Sequence, residues 1–316
     1  MSDKISTNVL IIGSGPAGYS AAVYAARGAA NPVLIQGSQP GGQLTITTDV
    51  DNYIGIPSIL GPDLMDQMKL HAEQSGARII NDHIVEIKRQ GNLFICIGES
   101  KMRYESYSVI IATGAQAKFL GLENESFFQG HGVSGCAVCD GFFFRGKRVA
   151  IVGGGNTAAE EALYLTRHAS EVMMIHRRDK FRAERILQDR IFANKKISIL
   201  WNSQLVDILG DQEPIKKVTA IKVKNVNSNE ISTLEIDGVF IAIGHQPNTD
   251  LVKNLLTLDS TGYITTKADS TITSVPGLFA AGDVRDPVYR QAISSAGYGC
   301  MAALDCLKYL ESQNIL

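Results

Sequence analysis

The sequence predicts an α/β protein made of two Rossmann-like dinucleotide-binding domains, the second inserted into the first. Three observations predict it. Two glycine loops each stand between an apolar strand and a helix; a strand ending in Ala-x-Gly occurs twice; and the tail holds one strand and one helix, too little to bury a core alone.

The first unit begins at Val9-Leu10-Ile11-Ile12, an apolar run that ends in Gly13-Ser14-Gly15-Pro16-Ala17-Gly18. Ala17 to Arg27 is Ala-rich and suits a helix, and Pro32-Val33-Leu34-Ile35 is the next strand. Strand, glycine turn, helix and strand make a βαβ unit, whose helix N-terminus offers backbone N–H groups to a pyrophosphate. The pattern returns in Val149-Ala150-Ile151-Val152, then Gly153-Gly154-Gly155-Asn156-Thr157-Ala158, a helix predicted over Thr157 to Arg167, and Val172-Met173-Met174-Ile175. One such loop is weak evidence; two in the same context are stronger. Val109-Ile110-Ile111-Ala112-Thr113-Gly114 and Val239-Phe240-Ile241-Ala242-Ile243-Gly244 follow their own loops after about 90 to 100 residues, a spacing one doubly wound unit can hold.

After Gly244 the chain holds Leu278-Phe279-Ala280-Ala281-Gly282-Asp283 and a helix-compatible run from Arg290 to Glu311. These are expected to complete the first unit, which gives domains at 1–117 with 246–316 and at 118–245. Two short crossings, near Ala115–Phe119 and His245–Thr249, would then form a hinge for two orientations of the inserted unit. His245 at the second crossing is read as a hinge residue rather than a base, since no nucleophile or acid partners it in the pattern.

Composition narrows the function. Lys and Arg total 30 against 32 Asp and Glu, so the chain lacks the basic excess of nucleic-acid or membrane-surface binders. Asn8 to Ala26 carries no charge, but glycines and Pro16 interrupt it and Met1 to Thr7 is not basic overall, which argues against a leader or a span. Five cysteines are too few and too irregular for a secreted disulfide framework, so a reducing compartment, the cytoplasm, is expected. Cys136-Ala137-Val138-Cys139 has the spacing of a thiol–disulfide redox pair, with Asp140 beside it as a proton shuttle. A zinc site would need two more ligands and finds only His131 nearby, so no metal is expected. Cys96, Cys300 and Cys306 read as small hydrophobes, and Trp201 and Phe142-Phe143-Phe144 as core, although the Phe run can also cover a flavin or a partner surface.

The residue that ends the second strand of such a unit reads the adenosine ribose: an acid takes the 2′-hydroxyl and a basic group the 2′-phosphate. His176-Arg177-Arg178, with Arg182 beyond, reads as a site for NADPH, or else as a solvated basic face. Gln36 occupies the place in the first unit where an acid is expected, so the signal for FAD is weaker there. Gly41-Gly42-Gln43 either brings backbone against a flat ring or only makes a turn.

Taken in order, the two glycine loops, Gly41-Gly42-Gln43, Cys136-Ala137-Val138-Cys139-Asp140-Gly141, His176-Arg177-Arg178 and Ala281-Gly282-Asp283-Val284 resemble the low-molecular-weight thioredoxin reductases nearly end to end. The larger disulfide reductases are a poorer match, since they carry an early C-x4-C pair. The peroxiredoxin-reducing relatives add an N-terminal extension for which a first strand at Val9 leaves no room. The resemblance implies FAD on the first unit despite Gln36, held by Gly13, Ser14, Gly15, Pro16, Ala17, Gln36, Gly41, Gly42 and Gln43, with Asn52 and Ala112-Thr113-Gly114. It sets Gly282, Asp283, Arg290, Gln291 and Ala292 beside the flavin and its phosphates. It implies NADPH on the second unit, held by Gly153, Gly154, Gly155, Asn156, Thr157, His176, Arg177, Arg178, Arg182, Ile243 and Gly244. It further implies a cytoplasmic homodimer that passes electrons from NADPH through FAD and Cys136–Cys139 to thioredoxin, with Cys139 toward the flavin and Cys136 toward the partner. Two alternatives stand beside it: a related flavoprotein reductase of another disulfide, and a redox-sensing flavoprotein without turnover.

Overall fold

Val9, Leu10, Ile11 and Ile12 have no polar side chain to offer water. The computed structural model, which describes residues 4–47 and 49–316, buries each of them to 4% exposure or less. Each such burial is worth about 1.5–3 kcal/mol, and a strand covered on both faces is apolar throughout rather than alternating. Met1–Asp3, which belong to the segment read against a leader, lie outside the described residues. The chain divides into two units, one running to Gln116 and resuming at Gln246, the other spanning Ala117–His245.

In the first unit β1 (Lys4–Ile12) leads into α1 (Pro16–Arg27) and β2 (Val33–Ile35); α2 (Gly61–Gln74) and β3 (Arg78–Ile80) follow, then β4 (Ile84–Gln90), β5 (Leu93–Gly98) and β6 (Arg103–Ile111). The sheet runs β3-β2-β1-β6-β5-β4, and the strand Leu278–Ala280 from the tail joins β6. Strand β1 lies parallel to both β2 and β6, setting Leu10 against Val33 and Val109. Leu278 in turn pairs in parallel with Val109. The tail thus completes this unit, and its helix, Ala292–Ser312, packs on α1 through small residues. A Cβ on Gly299 would stand 2.1 Å from the Ala17 carbonyl oxygen. Cys306 on that helix is fully buried, 2.9 Å from the Ser108 hydroxyl, and burial pushes its thiol up to about 12, as it does for Cys96. Cys300 is half-buried.

In the second unit β7 (Val133–Ser134) precedes the short helix α3 (Ala137–Asp140), which holds Cys139 of the C-x-x-C, with Cys136 as its N-cap. Then come β8 (Arg148–Val152), α4 (Asn156–Leu165), β9 (Glu171–Ile175), α5 (Arg185–Ala193) and β10 (Ile197–Leu200). An antiparallel sheet follows, β11 (Ser203–Asp211), β12 (Lys217–Asn225) and β13 (Ile231–Glu235), and β14 (Gly238–Ile241) closes a five-stranded parallel sheet in the order β7-β14-β8-β9-β10. In chain order the redox pair therefore falls between two strands of this sheet, β7 and β8.

The helices differ from expectation by a residue or two at their ends. Gly15 and Gly155 are extended caps, so α1 and α4 start at the next residue, and α4 stops at Leu165 rather than Arg167. Arg290 is left-handed at φ +49° and Gln291 is extended, so the tail helix starts only at Ala292. Among the described residues no helix is long and apolar enough to cross a membrane.

Candidate functional site

Each unit builds the same cradle. Strand β1 is followed by Gly13, at φ +110°, where a Cβ would stand 2.2 Å from the Ala112 carbonyl oxygen. Strand β8 is followed by Gly153, at φ +156°, where a Cβ would stand 2.5 Å from the Ala242 carbonyl oxygen. Only glycine meets both the left-handed backbone and the close approach. Two residues further on, Gly15 and Gly155 face open space, with no atom within 4 Å of a built Cβ. They cap α1 and α4, and neither helix has a side-chain cap or an acid in its first turn. First-turn N–H groups without a capping side chain, a favourable dipole and room for close approach suit a pyrophosphate. The residues present therefore fit a dinucleotide in each unit.

Around this common cradle the units diverge. In the first, the Ser14 hydroxyl donates to the Gln36 carbonyl at 2.8 Å and accepts the Gly41 N–H at 2.9 Å. That draws the Gly41-Gly42 turn onto the loop until a Cβ on Gly42 would lie 3.4 Å from Gly15 Cα. Gln36 is buried, and its amide nitrogen donates to the Tyr19 hydroxyl at 3.3 Å. Asn248 locks the end of β6: its side chain donates to the Thr113 carbonyl, its N–H to the Gly114 carbonyl, and its own carbonyl accepts the Thr113 hydroxyl. Asp283 is half-buried and receives the Ser295 hydroxyl at 2.7 Å; burial raises its carboxyl to about 6, against the Ser295 hydrogen bond. Asp286 receives the N–H groups of Val288, Tyr289 and Arg290 and so fixes the turn that leads to Gln291 and Ala292. Gln43 and Asn52 are exposed.

In the second unit His176 is buried beneath Gly154, where a Cβ would strike the ring at 2.2 Å. The ring packs against both Phe181 and Trp201, 3.0 Å from the Lys180 carbonyl, and burial lowers its pKa. It supports the loop from below. Arg177, Arg178 and Arg182 are exposed, and none joins an ion pair among the described residues. Asn156 is held to Glu184 by two hydrogen bonds, at 3.1 and 2.9 Å, and Thr157 is half-buried beside it on α4. Ile243 is 39% exposed and Gly244 left-handed at the end of β14.

Cys136 and Cys139 form a disulfide, with both residues half-buried. Cys136 caps α3, and its Sγ accepts the Cys139 N–H at 3.2 Å. Ser134 accepts the Cys136 N–H at 3.0 Å, and the Cys136 carbonyl accepts the Asp140 N–H at 3.1 Å. Asp140 is half-buried next to the pair, and Gly141 packs on Tyr164 and Leu165 of α4. Of the Phe run only Phe144 joins the core; Phe142 and Phe143 are 48% and 39% exposed, as is Val138 at 46%. A patch of this kind beside a disulfide is not core material, and the run divides accordingly. Tyr19, Asn248, Ser295, Ser134 and Glu184 carried no signal in the sequence, because what marks them is a partner distant in the chain or a single hydrogen bond.

Two phosphate-type cradles and one redox disulfide in a single chain are the parts of a nucleotide-dependent disulfide oxidoreductase. The sequence profile of pyridine nucleotide-disulphide oxidoreductases matches residues 7–299, and the chain belongs to that family, one of flavin-dependent pyridine nucleotide enzymes. A thioredoxin reductase of Rickettsia conorii is 54% identical over 308 residues, covering 97% of this chain and 99% of that protein. The crystal structure of thioredoxin reductase from Streptococcus pyogenes is similar at a TM-score of 0.92 and 42% identity, covering 97% of this chain and 99% of that one. A Pseudomonas fluorescens protein named glucosaminate ammonia-lyase is 52% identical over 313 residues, covering 96% of each chain.

Proposed function

We propose that this protein is an NADPH-dependent thioredoxin reductase that uses FAD and the Cys136–Cys139 disulfide. The observation that carries the reading is the disulfide itself, held at a helix cap in the unit that also carries the second glycine loop and the exposed Arg177, Arg178 and Arg182. FAD would be held on the first unit by the Gly13–Gly18 loop, the Gly41-Gly42 turn, Gln36 and Asp283. NADPH would be held on the second by the Gly153–Gly155 loop, with Arg177, Arg178 and Arg182 on the 2′-phosphate. The bound cofactors supply hydride chemistry, carrying an electron pair from NADPH to the disulfide.

The chain's own residues do the rest. With the pair reduced, the Cys139 N–H aimed at Cys136 Sγ favours the thiolate there. That sulfur attacks the partner disulfide and forms a mixed disulfide, releasing one partner thiolate. Cys139 then attacks Cys136 Sγ, restores the Cys136–Cys139 bond and releases the second partner thiol. Asp140 takes and returns the protons of the two cysteine thiols. The exposed Val138, Phe142 and Phe143 suit a bulky protein substrate better than a small one. We place the enzyme in the cytoplasm, where thiols cycle, and as a homodimer, supported by exposed Tyr24, Met301 and Leu304 on the helices of the first unit.

The test is NADPH oxidation with and without oxidised thioredoxin, run beside a glucosaminate reaction in which ammonia is followed. Rapid oxidation only with thioredoxin is expected. Ammonia release with no thioredoxin-dependent oxidation overturns the reading.

A further inference from the structure

Three cations lie on the turns that adjoin the redox helix, each against an aromatic ring. The Arg145 guanidinium stands 4.9 Å over the Phe142 ring, the Lys147 ammonium 5.5 Å over Phe144, and the Arg167 guanidinium 5.4 Å over Tyr164. All three residues are exposed, and none of them joins an ion pair among the described residues. They sit on two turns bound to each other: the Gly146 N–H donates to the His168 carbonyl and the Ser170 N–H to the Lys147 carbonyl, both at 2.9 Å. The same turns are tied to the redox helix, since Gly141 packs on Tyr164 and His168 meets the exposed Phe142 edge-on at 6.0 Å. From Gly141 to Arg148 the sequence has three cations and no acid. Arg148 alone of the three is neutralised, by Glu171.

An exposed lysine is usually a solvated face. Here the rings fix the cations' positions and leave their charge unspent, beside an apolar patch that flanks the disulfide. The chain as a whole has a net charge of -2, so this local excess is not a reflection of overall composition. We infer that Arg145, Lys147 and Arg167 form a basic rim that receives acidic side chains on the protein whose disulfide is reduced, steering it onto Phe142 and Phe143. The inference rests on the thioredoxin reductase reading and adds the charge of the partner's contact surface. Such a rim acts on encounter more than on chemistry, and its effect is screened by salt.

The test compares holoenzyme carrying R145E and R167E with wild type and with K101E, a charge reversal at an exposed lysine of the other unit. For the double variant kcat/KM toward oxidised thioredoxin is expected to fall about tenfold to a hundredfold at low ionic strength, and the gap to close as salt rises. Flavin bleaching by NADPH and turnover of a small neutral disulfide should hold, which also certifies the fold, and K101E should match wild type. R145Q with R167Q should lose less than the double reversal. Thioredoxin with its carboxylates amidated should lose the salt dependence with wild-type enzyme. An unchanged kcat/KM, or an equal loss at every salt concentration, overturns the rim while leaving the reductase reading intact. Wild-type enzyme that turns over the small disulfide but not thioredoxin overturns both.

Discussion

The two glycine loops are one device in two settings. Gly13 and Gly153 meet the carbonyl oxygens of Ala112 and Ala242 in the same way, and Gly15 and Gly155 face the same open space. The surroundings have nothing in common. The first loop is tied down by neutral hydrogen bonds through Ser14, and the second strand ends in a buried Gln36 bound to Tyr19. The second loop rests on a buried imidazole, and the residues that follow His176 include the exposed Arg177, Arg178 and Arg182. The backbone recognises what the two nucleotides share; the side chains at the strand end distinguish them. The disulfide is the further asymmetry, since among the described residues only the second unit carries one.

That asymmetry gives the largest expected effect. Cys136→Ser or Cys139→Ser should abolish thioredoxin reduction, because one thiol cannot form an exchangeable disulfide. Flavin bleaching by NADPH, followed by stopped flow, should survive in both. Loss of bleaching in folded variants would mean that the cysteines serve cofactor binding.

The first unit also holds a carboxyl with no counterpart at the second loop. Asp283 has its pKa raised by burial, opposed by the Ser295 hydroxyl, with Asp286 raising it further and Arg290 lowering it. An acid whose folded pKa is about 6 holds its proton between roughly pH 4 and 6 while the unfolded chain has lost it. Folding is therefore favoured by acid in that window, and stability falls as pH rises through it. For a shift of about 2 units the loss approaches ~3 kcal/mol. Urea midpoints of deflavinated protein across this range should fall with rising pH in wild type, and this component should be missing in Asp283→Asn. A parallel decline in both proteins would assign the slope to other groups.

At the second loop, Arg177→Ala removes a charge-assisted bond worth about 1.5–3 kcal/mol, so KM for NADPH should rise about tenfold to a hundredfold. NADH has no 2′-phosphate and should be little affected. Equal weakening of both nucleotides would make the basic cluster structural. At the first loop, Gln36→Glu should tighten FAD by severalfold, since a hydrogen bond to a carboxylate exceeds a neutral one by about 1 kcal/mol. Titrating deflavinated protein with FAD reads this directly, and weaker binding would show that Gln36 does not face a ribose hydroxyl.

Much of this was legible in the residues. The period of the apolar runs, the glycine spacing, the C-x-x-C and the Arg177-Arg178 pair are local features, and local features can be read along a chain. The antiparallel strands were not read. Ile84–Gln90 buries little beyond Ile84, and Ile231–Glu235 buries none of its side chains, so neither shows a strong apolar pattern. The Phe run was legible as apolar but not as divided, because the division depends on which rings α4 and β14 leave uncovered.

The sequence by itself determined two nucleotide-type loops, their order and the redox pair, since each rests on backbone freedom or residue chemistry within a few positions. Only the tertiary structure decided what those pieces touch. Tyr19 lies 17 residues from Gln36, which it meets because α1 packs back beside β2, and Asn248 lies 135 from Thr113, which it meets where the returning chain comes back to the end of β6. The same reason applies to Arg145 and Arg167. Their charges are printed in the sequence, but two turns had to be hydrogen-bonded together before those charges stood on adjoining turns.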